Sequence, residues 1–138
     1  MDVRDEILNR IDGRQDEWLK LLGDLVRRPS ENPPGDTRAA ADCLIEYLAG
    51  KGHAPEVVEP HPGMVNVVAA TDRGPGRSVI LNGHLDTFPV GDRSGWERDP
   101  FSGDVVDGKV FGRGVADMKA GMAASLIAFC LLSELRDE

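Results

Sequence analysis

The sequence predicts an α/β domain, a mainly parallel or mixed sheet flanked by helices in three layers, and two observations predict it. Apolar residues recur at helical spacing near both ends of the chain, and between them lie short β-rich runs separated by turns containing Gly and Pro. One of these runs, SVILNG at residues 78–83, is continuous enough in apolar residues to read as a central strand covered on both faces.

Ile7, Leu8, Ile11, Trp18, Leu19, Leu22, Leu25 and Val26 fall at three- and four-residue steps, an amphipathic helix with an interruption at Gly13. Pro29 ends it. Residues 30–36, SENPPGD, are turn chemistry: two prolines set φ, Gly35 permits unusual dihedrals, and Asp36 or Thr37 caps the next helix. That helix carries Ala40, Cys43, Leu44, Tyr47 and Leu48 on one face and ends near Gly50 or Gly52. Strands are expected at residues 56–59, 64–70 and 78–83, with GPGR at 74–77 joining the last two. Residues 88–115 read as a structured excursion anchored by Trp96, Phe101 and Phe111, with a tight hairpin around Asp107 and Gly108. From Met118 the chain reads as helix, with Met122, Leu126, Phe129 and Cys130 facing inward.

The 138 residues, 41% hydrophobic and 29% charged, suit one soluble domain with a sizeable core. A net charge of -8 excludes a nucleic-acid binder, which needs Lys and Arg clustered on one surface. Arg27 and Arg28 sit at a helix end, where cations favour the last-turn carbonyls. The amino terminus, MDVRDEILNR, lacks the basic-then-apolar pattern of a signal peptide, so a cytoplasmic location is expected. The most apolar run, residues 120–132, falls short of the roughly 20 residues that span a bilayer and reads as a core helix, with no membrane partner. Cys43 and Cys130 lie in apolar helical patterns without metal or redox spacing and read as free core thiols.

The chemistry concentrates in residues 79–121. His84 and Asp86 are one residue apart, so in extended backbone their side chains leave the same face. A metal-bound imidazole commonly gives its second N–H to a carboxylate, a part that Asp86 suits; an ordinary half-buried histidine is the competing reading. Asp117, in GRGVADMKAG, is either the N-cap of the following helix or a carboxylate able to bridge two cations, with Gly112, Gly114 and Gly121 allowing close backbone approach. Lys119 reads as solvated, with a substrate-facing role as the alternative. His53 and His61 have no acidic company at useful spacing and read as surface residues, and Asp92, Glu97, Asp99, Asp104 and Asp107 as a solvated loop face. GRGVAD begins like a dinucleotide fingerprint, but Asp117 occupies the third glycine position and would repel a pyrophosphate. There is no GxSxG elbow for a serine nucleophile.

GHLDTFPVGD, followed by WERDPFSGDVVDGKVFGRGVADMKAG, resembles the paired signature of the dinuclear-zinc amidohydrolase and metallopeptidase family that contains acetylornithine deacetylase, succinyl-diaminopimelate desuccinylase, carboxypeptidase G and aminoacylase. PSENPPGD and MVNVVA are similar to that family too, so the resemblance covers nearly the whole chain. It implies that His84 binds one of two zinc ions, that Asp117 bridges both, and that Asp86 is the catalytic residue orienting the His84 imidazole. Cobalt or manganese would leave the same mark on these residues. The substrate implied is a small N-acyl amino acid or a peptide, with a homodimer as the full-length assembly. The family's Glu-Glu pair, which supplies the general base, has no match in residues 1–138, nor has the smaller dimerisation or lid domain. The expectation is therefore the N-terminal portion of a catalytic domain, inactive alone, with a non-catalytic interaction module keeping a vestigial metal site as the alternative.

Overall fold

The computed structural model describes residues 2–71 and 74–137. The helical pattern near the start is two helices, Val3–Asp12 (α1) and Gln15–Val26 (α2), broken at Gly13 as the glycine predicts. Packing belongs to the second: α1 buries no residue, whereas α2 buries Leu21, Leu25 and Val26. The junction between them is tied by charge to the helix Ala120–Asp137 (α4), where Arg14 donates to both carboxylate oxygens of Glu134 at 2.9 and 2.8 Å. The Arg14 hydrogen bonds outweigh burial and hold the Glu134 carboxyl below its ordinary value. A carboxyl depressed in the folded state contributes stability above its unfolded pKa and loses it as pH falls through the folded value. Arg14→Ala should thus lower the melting temperature at neutral pH and lose most of that effect in acid. The pair is partly exposed, so about 1 kcal/mol is the ceiling, to be read from melts at both pH values.

Arg38–Gly50 (α3) buries Ala40, Ala41, Cys43, Leu44 and Leu48, the face read from the sequence. It ends through Gly52, whose φ of +82° lets His53 N–H reach Leu48 O at 2.9 Å. At its start the Thr37 hydroxyl donates to Gly63 O at 3.2 Å and accepts from Val65 N–H at 2.9 Å. It thereby joins the helix to the turn of the next hairpin instead of capping its own helix. That hairpin pairs Glu56–His61 (β1) antiparallel with Met64–Val68 (β2), and Val65 and Val67 pack on the core formed by α2, α3 and Ala123. A second hairpin, Val105–Val106 (β3) with Lys109–Val110 (β4), turns through Asp107 and Gly108 at φ 50° and 74°. The excursion around it is pinned by stacked cations: Arg113 over Trp96 at 5.0 Å, Arg98 over Phe111 at 5.0 Å and Arg93 over Phe101 at 5.7 Å.

This mixture of helix and small sheet is an α/β arrangement, but the expected third strand is not paired. Residues 78–83 run without a ladder, and Val79 and Ile80 are 84% and 87% exposed. An apolar run becomes a central strand only when neighbours take up its backbone groups and cover its faces. Among the described residues, the one parallel pairing is the isolated bridge between Glu31 and Thr87. Val115–Leu135 is, by length and composition, apolar enough to cross a membrane, so the apolar stretch is longer than residues 120–132 suggested. Its start is kinked, with Asp117 and Met118 outside helical dihedrals, and it carries the buried Lys119, while Ala123, Cys130 and Leu131 are buried further along. Cys43 and Cys130 are buried free thiols, and burial raises both pKa values, Cys130 to about 11.

Candidate metal centre

Two segments far apart in sequence meet over a cleft of about 380 Å3, lined by Asn32, Asn66, Asn82, His84, Asp86 and Met122 among others. Leu85 and Thr87 are buried, which anchors the HLDT segment and leaves the alternate residues His84 and Asp86 turned towards the cleft. The opposing turn is set by Gly114, at φ +79°, after which the chain kinks through Asp117 before α4 begins. The His84 Nε2 atom lies 3.1 Å from Asp117 Oδ1. On the other side of the ring, Nδ1 lies 3.0 Å from the backbone oxygen of Asp86 and 3.2 Å from its Oδ1.

Asp86 therefore offers His84 a carbonyl as well as a carboxylate. Its second carboxylate oxygen accepts from Asn32 Nδ2 at 3.0 Å, and this bond, ahead of the opposing effect of burial, holds the Asp86 carboxyl below its ordinary value. For His84 burial acts to lower the pKa, but the Asp86 carbonyl and the Asp117 and Asp86 carboxylates outweigh it and raise it. Acceptors thus face both ring nitrogens, the Asp86 carbonyl and carboxylate at Nδ1 and the Asp117 carboxylate at Nε2, and the protonated ring donates to both sides.

The donor set fits a zinc-type ion. Bonds of about 2.0–2.2 Å to nitrogen and oxygen at a tetrahedral angle put two ligands roughly 3.4 Å apart, close to what His84 and Asp117 present. No group of three or more His, Cys, Asp or Glu side chains among the described residues is placed to hold an ion.

The remaining sequence candidates lie elsewhere. His53 packs at 5.0 Å from Phe129, and His61 is exposed in β1. Asp92 and Asp99 take backbone N–H groups of Ser94 and Phe101, and Asp104 pairs with Arg98 at 3.5 Å. The expectation of a solvated or substrate-facing Lys119 is corrected: it is 0% exposed, and its Nζ donates to Leu25 O at 2.8 Å and Arg28 O at 2.7 Å. Burial pulls its pKa down to about 8. The helix end where Arg27 and Arg28 were expected to meet carbonyls is thus served by Lys119, and Arg28 reaches Ala39 O instead. Asn32 was passed over as turn chemistry. The available signal was its place before two prolines, which restricts the backbone that presents the side chain.

An imidazole and a carboxylate are brought together here from two separate loops, and the comparisons with known proteins identify the class. Residues 80–137 match Peptidase family M20/M25/M40. The chain is 42% identical to succinyl-diaminopimelate desuccinylase of Cereibacter sphaeroides over 111 residues, covering 80% of this chain and 28% of that protein. It is 38% identical to N-formyl-4-amino-5-aminomethyl-2-methylpyrimidine deformylase of Halalkalibacterium halodurans over 132 residues, covering 93% of this chain and 31% of that one. Human carnosine dipeptidase 1 superposes with a TM-score of 0.70 at 26% identity, covering 96% of this chain and 32% of the dipeptidase. Over these residues the chain belongs to the M20/M25/M40 peptidase family, whose relatives are hydrolases acting on amide bonds. It spans less than a third of the length of the relatives it matches.

Proposed function

We propose that this chain supplies part of a dinuclear zinc centre in a hydrolase of amide bonds, an N-acyl amino acid deacylase or a peptidase. The observation that carries the reading is the 3.1 Å approach of His84 Nε2 to Asp117 Oδ1 from two separate loops. In this reading His84 would hold one zinc, Asp117 would be shared between two, and Asp86 would fix the imidazole from behind. Cobalt or manganese would suit the same donors. Bound metal of this kind lowers the pKa of a water and polarises the scissile carbonyl.

This chain's own residues prepare that chemistry. Asp86 sets a carbonyl and a carboxylate oxygen against Nδ1, and an Nδ1–H donated to them would leave Nε2 free to bind and raise the basicity of the ring. The Asp117 side chain is 71% exposed and stands open beside the His84 ring. The adjoining cleft suits a small N-acyl amino acid or a short peptide, and a cytoplasmic location goes with such a substrate. The 138 residues contain no Glu-Glu pair to serve as a general base, so they should bind metal without turnover by themselves, as one portion of a catalytic domain.

Zinc titration of the purified chain by calorimetry tests the reading. At most about one zinc per chain is expected to bind, weakly, because few ligands are present. His84→Ala and Asp117→Ala should each lower the affinity by more than about tenfold, since even the partners behind metal ligands are worth that much. Tight uptake of two zincs, or affinity unchanged in both variants, would sink it.

A further inference from the structure

The turn at residues 30–36 forms a strap laid along the segment that carries His84 and Asp86. The Asn32 N–H donates to Thr87 O at 2.8 Å, and Thr87 N–H donates to Ser30 O at 2.9 Å. Ser30, 1% exposed, donates through Oγ to Leu85 O at 2.6 Å, and Val90 N–H donates to Glu31 Oε1 at 2.6 Å. Asp86 sits between these attachments. The strap is thus in register with the site, and Asn32 is the residue whose side chain crosses from one segment to the other at Asp86.

From this geometry we infer that Asn32 is a positioning residue: its amide fixes the Asp86 carboxylate beside Nδ1 of His84, where that carboxylate joins the Asp86 carbonyl in competing with Asp117 at Nε2 for the ring proton. This deepens the metal-site reading above and rests on it for its purpose. Asn32 Nδ2 holds Asp86 Oδ2 at 3.0 Å, which leaves Oδ1 facing His84 Nδ1 at 3.2 Å. The Asp86 side chain is 38% exposed, so without the amide water competes for both oxygens and the carboxylate is free to turn. Gly35, at φ +85°, takes the turn at low strain. A residue serving only to form the turn would act through its backbone and leave the imidazole unaffected.

Long-range proton–nitrogen correlation spectra of His84 in the metal-free chain, taken near pH 9 where an ordinary imidazole is neutral, read the tautomer directly. The wild-type ring should carry a substantial Nδ1–H population, since two acceptors face Nδ1 and one faces Nε2. Asn32→Leu keeps the volume and removes the donor, and the Nδ1–H to Nε2–H ratio should fall by roughly threefold to tenfold, the range one hydrogen bond of ordinary net strength controls. Asn32→Gln retains a donor and should recover part of the ratio. Calorimetry with zinc chloride on the same samples should show affinity falling about tenfold in Asn32→Leu. A ratio unchanged in Asn32→Leu overturns the role of Asn32, even where zinc binds. A shifted ratio in a chain that takes up no zinc supports the coupling and removes the metal reading. If Asn32→Leu folds poorly, Asn32→Ala decides in its place, and a ratio unchanged there overturns the proposal.

Discussion

Lys119→Ala is expected to lower the stability of the chain by about 3 kcal/mol, through lost packing of its methylene stem and an orphaned helix-end carbonyl. The ammonium is 0% exposed and bridges Leu25 O and Arg28 O, the last carbonyls of α2 and its exit. Leu25 O retains a second donor, Arg28 N–H at 3.2 Å, so the larger loss falls on Arg28 O. Part of the effect is offset, because removing a buried cation relieves the desolvation that pulls its pKa down to about 8. Lys119→Met separates the contributions, since it keeps most of the stem and should cost only about 1 kcal/mol. Urea denaturation of the three proteins measures both values. An alanine variant as stable as the wild type would show that the bridge between α2 and the turn before α4 contributes nothing.

Gly114→Ala should have the next largest effect, about 2–4 kcal/mol, because two separate penalties add. The residue sits at φ +79°, which any side chain makes unfavourable, and an added Cβ would overlap the Thr87 γ-methyl. Thr87 is 4% exposed and holds the strap through its backbone N–H and carbonyl, so a push at this point reaches Ser30, Asn32 and Asp86 together. Thr87→Ser removes the overlapping methyl. In the double variant the steric part, about half the loss, should return while the dihedral part remains. Equal stability of the single and double variants, read from denaturation midpoints, would place the whole effect in the backbone. Zinc affinity should follow stability in this pair, since Gly114 sets the turn that presents Asp117.

Much of the local structure was legible because its signals lie within a few residues. The break at Gly13, the helix end through Gly52 and the hairpin at Asp107 and Gly108 each follow from backbone preferences of the residues concerned. The same is true of the buried faces of α2 and α3, which follow from periodicity. Residues 78–83 were read from composition as a covered central strand, and here the local signal misled. Burial is a property of neighbours, and Val79 and Ile80 have none to cover them.

The candidate site divides along the same line. The sequence by itself singled out His84, Asp86 and Asp117 as the candidate side chains, because their types, spacing and flanking glycines are local facts. Only the tertiary structure decided their partners. His84 meets Asp117 across 33 positions, Asp86 meets Asn32 across 54, and Lys119 finds Leu25 across 94. A polar group that leaves water must find a partner wherever the fold provides one, and such partners depend on chain segments that local periodicity does not relate. For this reason an exposed-looking lysine became the donor that closes α2, and a turn-forming asparagine came to hold the carboxylate beside His84.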